Sequence, residues 1–310
     1  MPDIANALKF QRKLMGVENS YLKQIHDYRA ETRRVLLDIL DRDGIERNAI
    51  RRMVAEVESL SRRVTSLAAD KSNDIRATVA NYIRQQLRLA KAAGLADTAD
   101  INPVLNAGLS VAQDGEQSYM TNTSAWVTQL ENSLQTQAAK LRLSQASDQE
   151  IKDRLLSETL ADGRASVWLA GTNQANIEES GNVWSYGIGL LAAYMMIYNE
   201  QQPDVVYMKQ AIATIDKRTT ECCLRVHGQI QSLDDPFRLD GTPRYADEVQ
   251  DPPFHWYCRT SEALYHEEFE NFGIPTDEMI DAAQAELTAR KKTKTRVEIY
   301  PSHATARRIT

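Results

Sequence analysis

Glycine and proline are scarce in this 310-residue chain, with 13 and 9 residues, about 7% together against roughly 12% in ordinary domains. The deficit excludes a collagen-like or proline-rich disordered chain and favours helix. It is uneven, for seven of the nine prolines lie beyond residue 200. Long apolar runs are missing too. The best candidate for a membrane span, Val183 to Tyr198, has 16 residues, includes Ser185 and two glycines, and runs into Asn199 and Glu200. A span needs about 20 apolar residues, so a buried helix is expected there. Met1 to Lys13 carries charges and has no apolar stretch of signal-peptide type, so no export signal is expected. Cysteine is limited to Cys222, Cys223 and Cys258. An odd count in such a chain argues for reduced thiols and against a disulfide scaffold. The formal net charge of -6 argues against a protein that coats nucleic acid with its whole surface.

What is present is helical periodicity. From Leu8 to Leu40 apolar residues return at helical spacing, at Leu14, Val17, Tyr21, Ile25, Leu36 and Ile39 among others. Asp41 to Gly44 is a stop, with Gly44 available for a left-handed cap. A second stripe runs from Ile50 to Leu67, and a third from Ile75 to Leu87, entered by Ser72-Asn73-Asp74 and closed near Gly94. Arg33-Arg34, Arg51-Arg52 and Arg62-Arg63 alternate with acids, so they are read as a solvated face. Asp97 to Gly115 reads as a connector. Helices resume over residues 124–143 and 147–160, where Ser147 and Glu150 fit a capping box. Arg164 to Tyr198, with Trp168 and Trp184, is the most apolar part and reads as buried helix.

Beyond Pro203 the texture changes. Val205 to Tyr207 and Ala211 to Ile215 look like short strands, and Ile230 with Leu233 suggests another. Asp234 to Pro253 is loop-rich, and helix is expected to return over Ser261 to Phe272. The chain therefore reads as mainly α. An elongated helical region over 1–200 precedes a small loop-rich α+β module over 201–273, then a C-terminal helix and basic tail over 274–310.

The module carries an ordered string of distinctive residues: Asp216, Arg218, Thr219, Cys223, Gly228, Pro252, Pro253, His255, Cys258 and Arg259. This string resembles the carboxy-terminal signature of the phage Mu protein F-like minor head (head morphogenesis) proteins of tailed bacteriophages. In that family a strand leads into Asp-x-Arg-Thr, a cysteine follows, a turn ends in Gly, and a variable loop reaches Pro-Pro-x-His-x-x-Cys-Arg. The resemblance covers about 45 residues, roughly one seventh of the chain. Three positions depart from it. His227 stands where an acid commonly precedes the Gly, Cys222 is an additional cysteine, and Gly171-Thr172-Asn173 replaces an upstream Arg-Thr-Glu. The resemblance implies a structural protein that enters the procapsid, associates with the portal, and can stay in the head near packaged DNA, with a part in packaging or genome delivery. The implied location is the virion, and the host cytoplasm during assembly. The portal, and after it the major capsid or scaffolding protein and double-stranded DNA, are the implied partners. No enzyme activity and no catalytic residue are expected.

The residues themselves leave the module's chemistry open. Cys223 and His227 form Cys-x3-His, and His255 and Cys258 form His-x2-Cys. Two sulfurs and two imidazoles make a competent tetrahedral zinc set. The metal-free alternative, in which the cysteines are small buried hydrophobes and the histidines satisfy backbone groups, is the leading expectation. A Cys223–Cys258 disulfide is the third. Asp216 reads as an acceptor of backbone N–H groups in the turn after a strand, with Arg259 closing on it in a bidentate pair. Gly228 is expected at positive φ, and Pro252 and Pro253 restrict the backbone that delivers His255. A thiol-based or metal-dependent hydrolase is the rival reading, although no Gly-x-Ser-x-Gly, phosphate-binding Gly-Lys-Ser/Thr or His-Glu-x-x-His occurs.

The chain's end is strongly basic. Arg290, Lys291, Lys292, Lys294, Arg296, Arg307 and Arg308 face only Glu298 in residues 290–310, a segment charge of +6 against -12 for the rest. Such a tail suits packaged DNA or an acidic portal face, or simply solvent.

Overall fold

The computed structural model describes residues 3–95, 125–163, 166–202, 204–239, 248–255, 258–272 and 275–292. The connector expected over 97–115 lies outside them. The chain is mostly helical, with long helices first and a small helix-plus-strand region after them.

Helix α1 (Asp3–Asp43) follows the first stripe and stops at Gly44, whose φ is +64° and whose N–H bonds the Leu40 carbonyl at 3.1 Å. Helix α2 (Arg47–Ala92) unites the second and third stripes. Ser72-Asn73-Asp74 does not open a new helix, contrary to the sequence reading. Leu67 and Ile75 are eight residues apart, so the apolar face continues in register. Between them Lys71 lies over the Tyr21 ring at 4.3 Å, and Ser72 is buried. The helix ends in a Schellman pattern at Gly94 (φ +73°), with Leu95 N–H on Ala90 and Gly94 N–H on Lys91. Helix α3 spans 125–143. Helix α4 (Asp148–Arg154) starts in the expected capping box, Ser147 and Glu150 bonding each other reciprocally, and runs on as a π-helical turn, Leu155–Leu160. Helix α5 (Val167–Gln201) carries the apolar segment. No described helix is long and apolar enough to cross a membrane.

The chain groups into two compact units, and these do not follow the boundaries read from composition. One unit takes Glu18–Ser72 with Glu116–Glu179. Its core is built on Leu36, Met53, Val57, Leu60, Leu130, Leu134 and Leu155. Trp126 meets Trp168 edge-on at 5.6 Å and lies under the Arg29 guanidinium at 4.9 Å. Gly171, one of the departures from the family string, is explained here. A Cβ on it would stand 1.5 Å from Trp126 Nε1, so the indole occupies that space. One arginine of each pair is held within this unit, and Arg34, Arg51 and Arg62 are exposed. Arg33 bonds the Leu160 carbonyl and pairs with Asp162, Arg52 with Asp43, and Arg63 with Glu31.

The other unit takes Met1–Val17, Asn73–Gly115 and Ser180–Thr310. The α+β region therefore shares a unit with the first turns of α1, the end of α2 and the second half of α5. Phe10 stacks on Tyr82 at 4.6 Å. Gln11, almost fully buried, donates to the Ile212 carbonyl at 2.6 Å and to Ser261 Oγ at 2.8 Å, and accepts from Thr214 Oγ1 at 2.6 Å.

The central strand β1 (Met208–Ile212) pairs antiparallel with β2 (Ile230–Ser232) on one side and with a strand over Ser261–Tyr265 on the other. Between β2 and that strand, β3 (Phe237–Arg238) and β4 (Glu248–Val249) form a separate two-stranded ladder, so Ser261–Tyr265 is β5. Two sequence readings are corrected. Val205 to Tyr207 is not a strand, for Val206 is 77% exposed and the Tyr207 N–H bonds Asn199 Oδ1. Ser261 to Tyr265 is strand and Glu267–Phe272 a 3-10 turn, although Glu, Ala and Leu favour helix. Pairing of five residues with β1, and burial of Ser261 through Leu264, override that local preference. Helix α6 (Glu221–Val226) precedes β2, and α7 (Thr276–Lys292) closes the region, its Ala283 and Leu287 packed on Leu224.

Candidate functional site

The string begins where β1 runs out. Asp216 Oδ1 accepts the Arg218 N–H at 2.7 Å and lies 3.2 Å from Thr219 Oγ1, while the Thr219 N–H bonds the Asp216 carbonyl at 3.1 Å. This is an Asx turn. The Thr219 hydroxyl donates to the Thr214 carbonyl. Arg259, 43 residues on, closes on the same carboxylate through Nη1 to Oδ2 at 2.9 Å and Nη2 to Oδ1 at 2.8 Å. Burial alone would raise the Asp216 carboxyl. The Arg259 bonds, with the Arg218 N–H and the Thr219 hydroxyl, outweigh it and hold the group below the ordinary aspartate value. Arg290 of α7 completes the turn, donating to the Thr219 carbonyl at 2.5 Å and the Asp216 carbonyl at 2.6 Å. Arg290 thus faces inward, not into the basic tail where its sequence position grouped it. The other tail residues Lys294, Arg296, Arg307 and Arg308 lie outside the described residues, as do the side chains of Lys291 and Lys292.

Thr220 stands at the N-cap position of α6, yet its hydroxyl does not cap the helix. It lies 2.7 Å from His255 Nε2 and 3.0 Å from Cys222 Sγ. The same Nε2 is 3.0 Å from Cys223 Sγ, and Cys223 Sγ is 3.6 Å from Cys258 Sγ. All three cysteines are buried free thiols, in line with the expectation of reduced thiols, and the Cys223–Cys258 disulfide alternative is not seen. His255 reaches the cluster from a turn in which the Cys258 N–H bonds the His255 carbonyl at 3.1 Å. The chain comes to His255 on its amino side from the Pro252–Pro253 pair, whose peptide is cis. Burial opposes a proton on His255, but the neighbouring sulfurs of Cys223 and Cys258 favour it and prevail, holding the ring above the ordinary histidine range. Burial first, and Cys223 second, push the Cys258 thiol up.

His227 does not join this cluster. Its Nδ1 accepts the Ala213 N–H at 2.9 Å, and burial lowers its pKa to about 4. The Cys223/His227/His255/Cys258 set read from spacing is therefore corrected at one position. Cys222 lies closer, its sulfur within 4.8 Å of the ligand atoms of Cys223 and His255. Gly228 follows at φ +83°, its N–H on the Ala211 carbonyl, and a Cβ there would meet Ile280 Cγ1 at 2.9 Å.

Between the Asp216 turn and the thiols lies a cavity of about 10 Å³ lined by Thr214, Arg218, Thr219, Thr220, Cys223, His255, Arg259 and Thr260. That is room for about one water.

A second polar group was not visible in the sequence. Lys209 Nζ, on a side chain 1% exposed, bonds Asp251 Oδ1 at 2.9 Å and the Gln250 carbonyl at 2.8 Å. Glu262, fully buried on β5 opposite Ala211, shares the sheet face of Lys209. Burial first, then the Asp251 charge, push its carboxyl well above the usual range, with Lys209 pulling the other way. Each is the second residue of its strand, and neither strand position was read from the sequence.

No family model, curated protein or solved structure matches the chain.

Proposed function

We propose that this chain is a minor head protein of a tailed bacteriophage, of the phage Mu protein F-like kind, acting in head morphogenesis by binding the portal. The observation that supports the reading is the fork between Arg259 and Asp216. It joins the last and first residues of the family-like string and encloses Cys223, His255 and Cys258 between them, which suits residues that serve shape. A cavity that admits about one water also suits a docking knob better than a substrate cleft. On this reading the long helices supply contact surface, and Lys294, Arg296, Arg307 and Arg308 supply positive charge for DNA or an acidic portal face.

The test is affinity capture of the portal protein encoded beside the gene, using the full chain. Retention of portal, weakened in Arg259→Ala, is the expected result. A full-length folded chain that ignores the portal would overturn the reading. A gene lying beside those for a terminase large subunit and a portal would support it independently.

One observation favours a second reading. Cys223 Sγ and His255 Nε2 stand at 3.0 Å, a reach that suits a thiol and its base. A thiol hydrolase would release products from DNA or peptide substrates, and His255→Ala would abolish them. The assembly reading expects no His255-dependent product. A third account, a DNA-binding protein, expects salt-sensitive duplex binding that disappears when residues 293–310 are deleted.

A further inference from the structure

The geometry points to a structural zinc site in the knob, with Cys222, Cys223, His255 and Cys258 as its four ligands. It does not depend on the portal reading, and portal capture and metal content can fail separately.

The argument starts from hydrogen-bond capacity. One imidazole nitrogen offers one proton or one lone pair, along one direction. His255 Nε2 nevertheless faces both Thr220 Oγ1 at 2.7 Å and Cys223 Sγ at 3.0 Å. Cys223 Sγ in turn faces both His255 and Cys258. A thiol is a weak donor, and the one lone pair or one N–H of Nε2 cannot align with both partners at once, so that nitrogen is oversubscribed. Soft donor atoms gathered in a buried interior are what a metal cation would satisfy.

Three of the four ligand atoms, those of Cys222, Cys223 and His255, lie within 4.8 Å of one another, and Cys258 stands against Cys223, so it joins them through a side-chain shift. Two thiolates on a tetrahedral zinc, each about 2.3 Å from it, stand about 3.8 Å apart, and a thiolate and an imidazole nitrogen about 3.6 Å apart. Cys223 and Cys258 are 3.6 Å apart. The Cys223–His255 contact at 3.0 Å needs to widen by about half an ångström. The sulfur of Cys222 is within 4.8 Å of both Cys223 Sγ and the His255 ring nitrogen. Two segments supply the whole set, the first turn of α6 and the 255–258 turn.

Three sulfurs and an imidazole select zinc over calcium or magnesium, which take oxygen ligands. Zinc would displace three thiol protons to solvent and take the Nε2 lone pair, with the ring proton on Nδ1. The site then carries one negative charge, and Arg218 and Arg259 line the cavity beside it. The Thr220 hydroxyl, released from Nε2, is already 3.0 Å from Cys222 Sγ and can donate to that thiolate. Four protein ligands leave no open position, so the site would be structural.

The test uses the full chain, purified reduced and metal-free, then titrated with zinc chloride and, separately, cobalt chloride. About one zinc per chain should survive gel filtration. Cobalt should show a thiolate charge-transfer band and the intense visible bands of tetrahedral coordination. In Cys222→Ser the charge-transfer intensity should fall by about a third, as three thiolates become two. Cys258→Ser should weaken zinc retention at least about tenfold, and His227→Asn should retain zinc at full stoichiometry. Because cysteine variants can fail to fold, the cobalt spectrum of the unmodified chain decides alone. A weak octahedral spectrum without a thiolate band would overturn the proposal, and so would loss of zinc in folded His227→Asn.

Discussion

Arg259 and Asp216 face each other as planar groups, two N–H donors on two carboxylate oxygens at 2.9 and 2.8 Å. Neither is replaceable by charge alone. Arg259→Lys keeps the cation and forfeits the fork, and Asp216→Asn keeps the shape and forfeits the anion. Each should lower unfolding free energy by about 1–3 kcal/mol in urea titrations. Asp216 also sets an acid limit. Its folded carboxyl lies below the ordinary value, so its contribution is present above the unfolded value near pH 4 and is lost as pH falls through the lower folded value. Asp216→Asn should flatten that stretch of the stability profile.

His227 predicts a second pH dependence, at milder acidity. Folded, it protonates only near pH 4; unfolded, near pH 6.5. The unfolded chain therefore binds more protons between those values. Stability from this group is fully present above pH 6.5 and declines as pH falls toward 4, by up to about 3 kcal/mol. His227→Asn offers Oδ1 to the Ala213 N–H and does not titrate. Its stability difference from the unmodified chain should shift in its favour across that window. A parallel offset at all pH values would contradict the assignment.

Glu262 predicts the opposite slope. Its folded carboxyl is raised, so the folded chain binds the extra proton, and stability falls as pH rises past the unfolded glutamate value near 4.3. Glu262→Gln replaces a buried acid by a neutral isostere while Lys209 keeps Asp251. The variant should gain on the unmodified chain with increasing pH, read as a growing difference in thermal midpoint between pH 4.5 and pH 8.

Gly171→Ala should be costly for a reason unrelated to helix propensity, since alanine is the better helix former. The indole of Trp126 fills the space of the missing Cβ, and a rigid ring between Trp168 and Arg29 has little room to retreat. About 1–3 kcal/mol of destabilisation is expected. A change in near-ultraviolet circular dichroism, reporting the tryptophan pair, should accompany it.

Features carried by neighbouring residues were legible in the sequence. Gly44 and Gly94 end helices and Ser147 with Glu150 opens one, all through local bonds, and Gly228 takes its positive φ. The Asp216–Arg259 fork was legible because the two residues bound a recognisable string. Features set by distant partners were not. The seam at Ser72 vanished because burial of Lys71 and Ser72 depends on what α2 packs against. Ser261 to Tyr265 reads as helix until β1 is beside it. His227 is set apart from the thiols only by its bond to the Ala213 N–H, and Cys222 is joined to them only by its distance to His255. Arg290 looked like tail because nothing in its neighbourhood announces a turn 71 residues earlier.

Gln11 has an implication for synthesis. Its three partners, at 212, 214 and 261, leave the ribosome 201 to 250 residues after it. At about 5–20 residues per second that interval runs from roughly ten seconds to a minute. For that time the first helical turns carry a primary amide and an apolar face with no sheet to receive them. A nascent-chain chaperone, or a second nascent copy, would meet this helix face before the sheet exists.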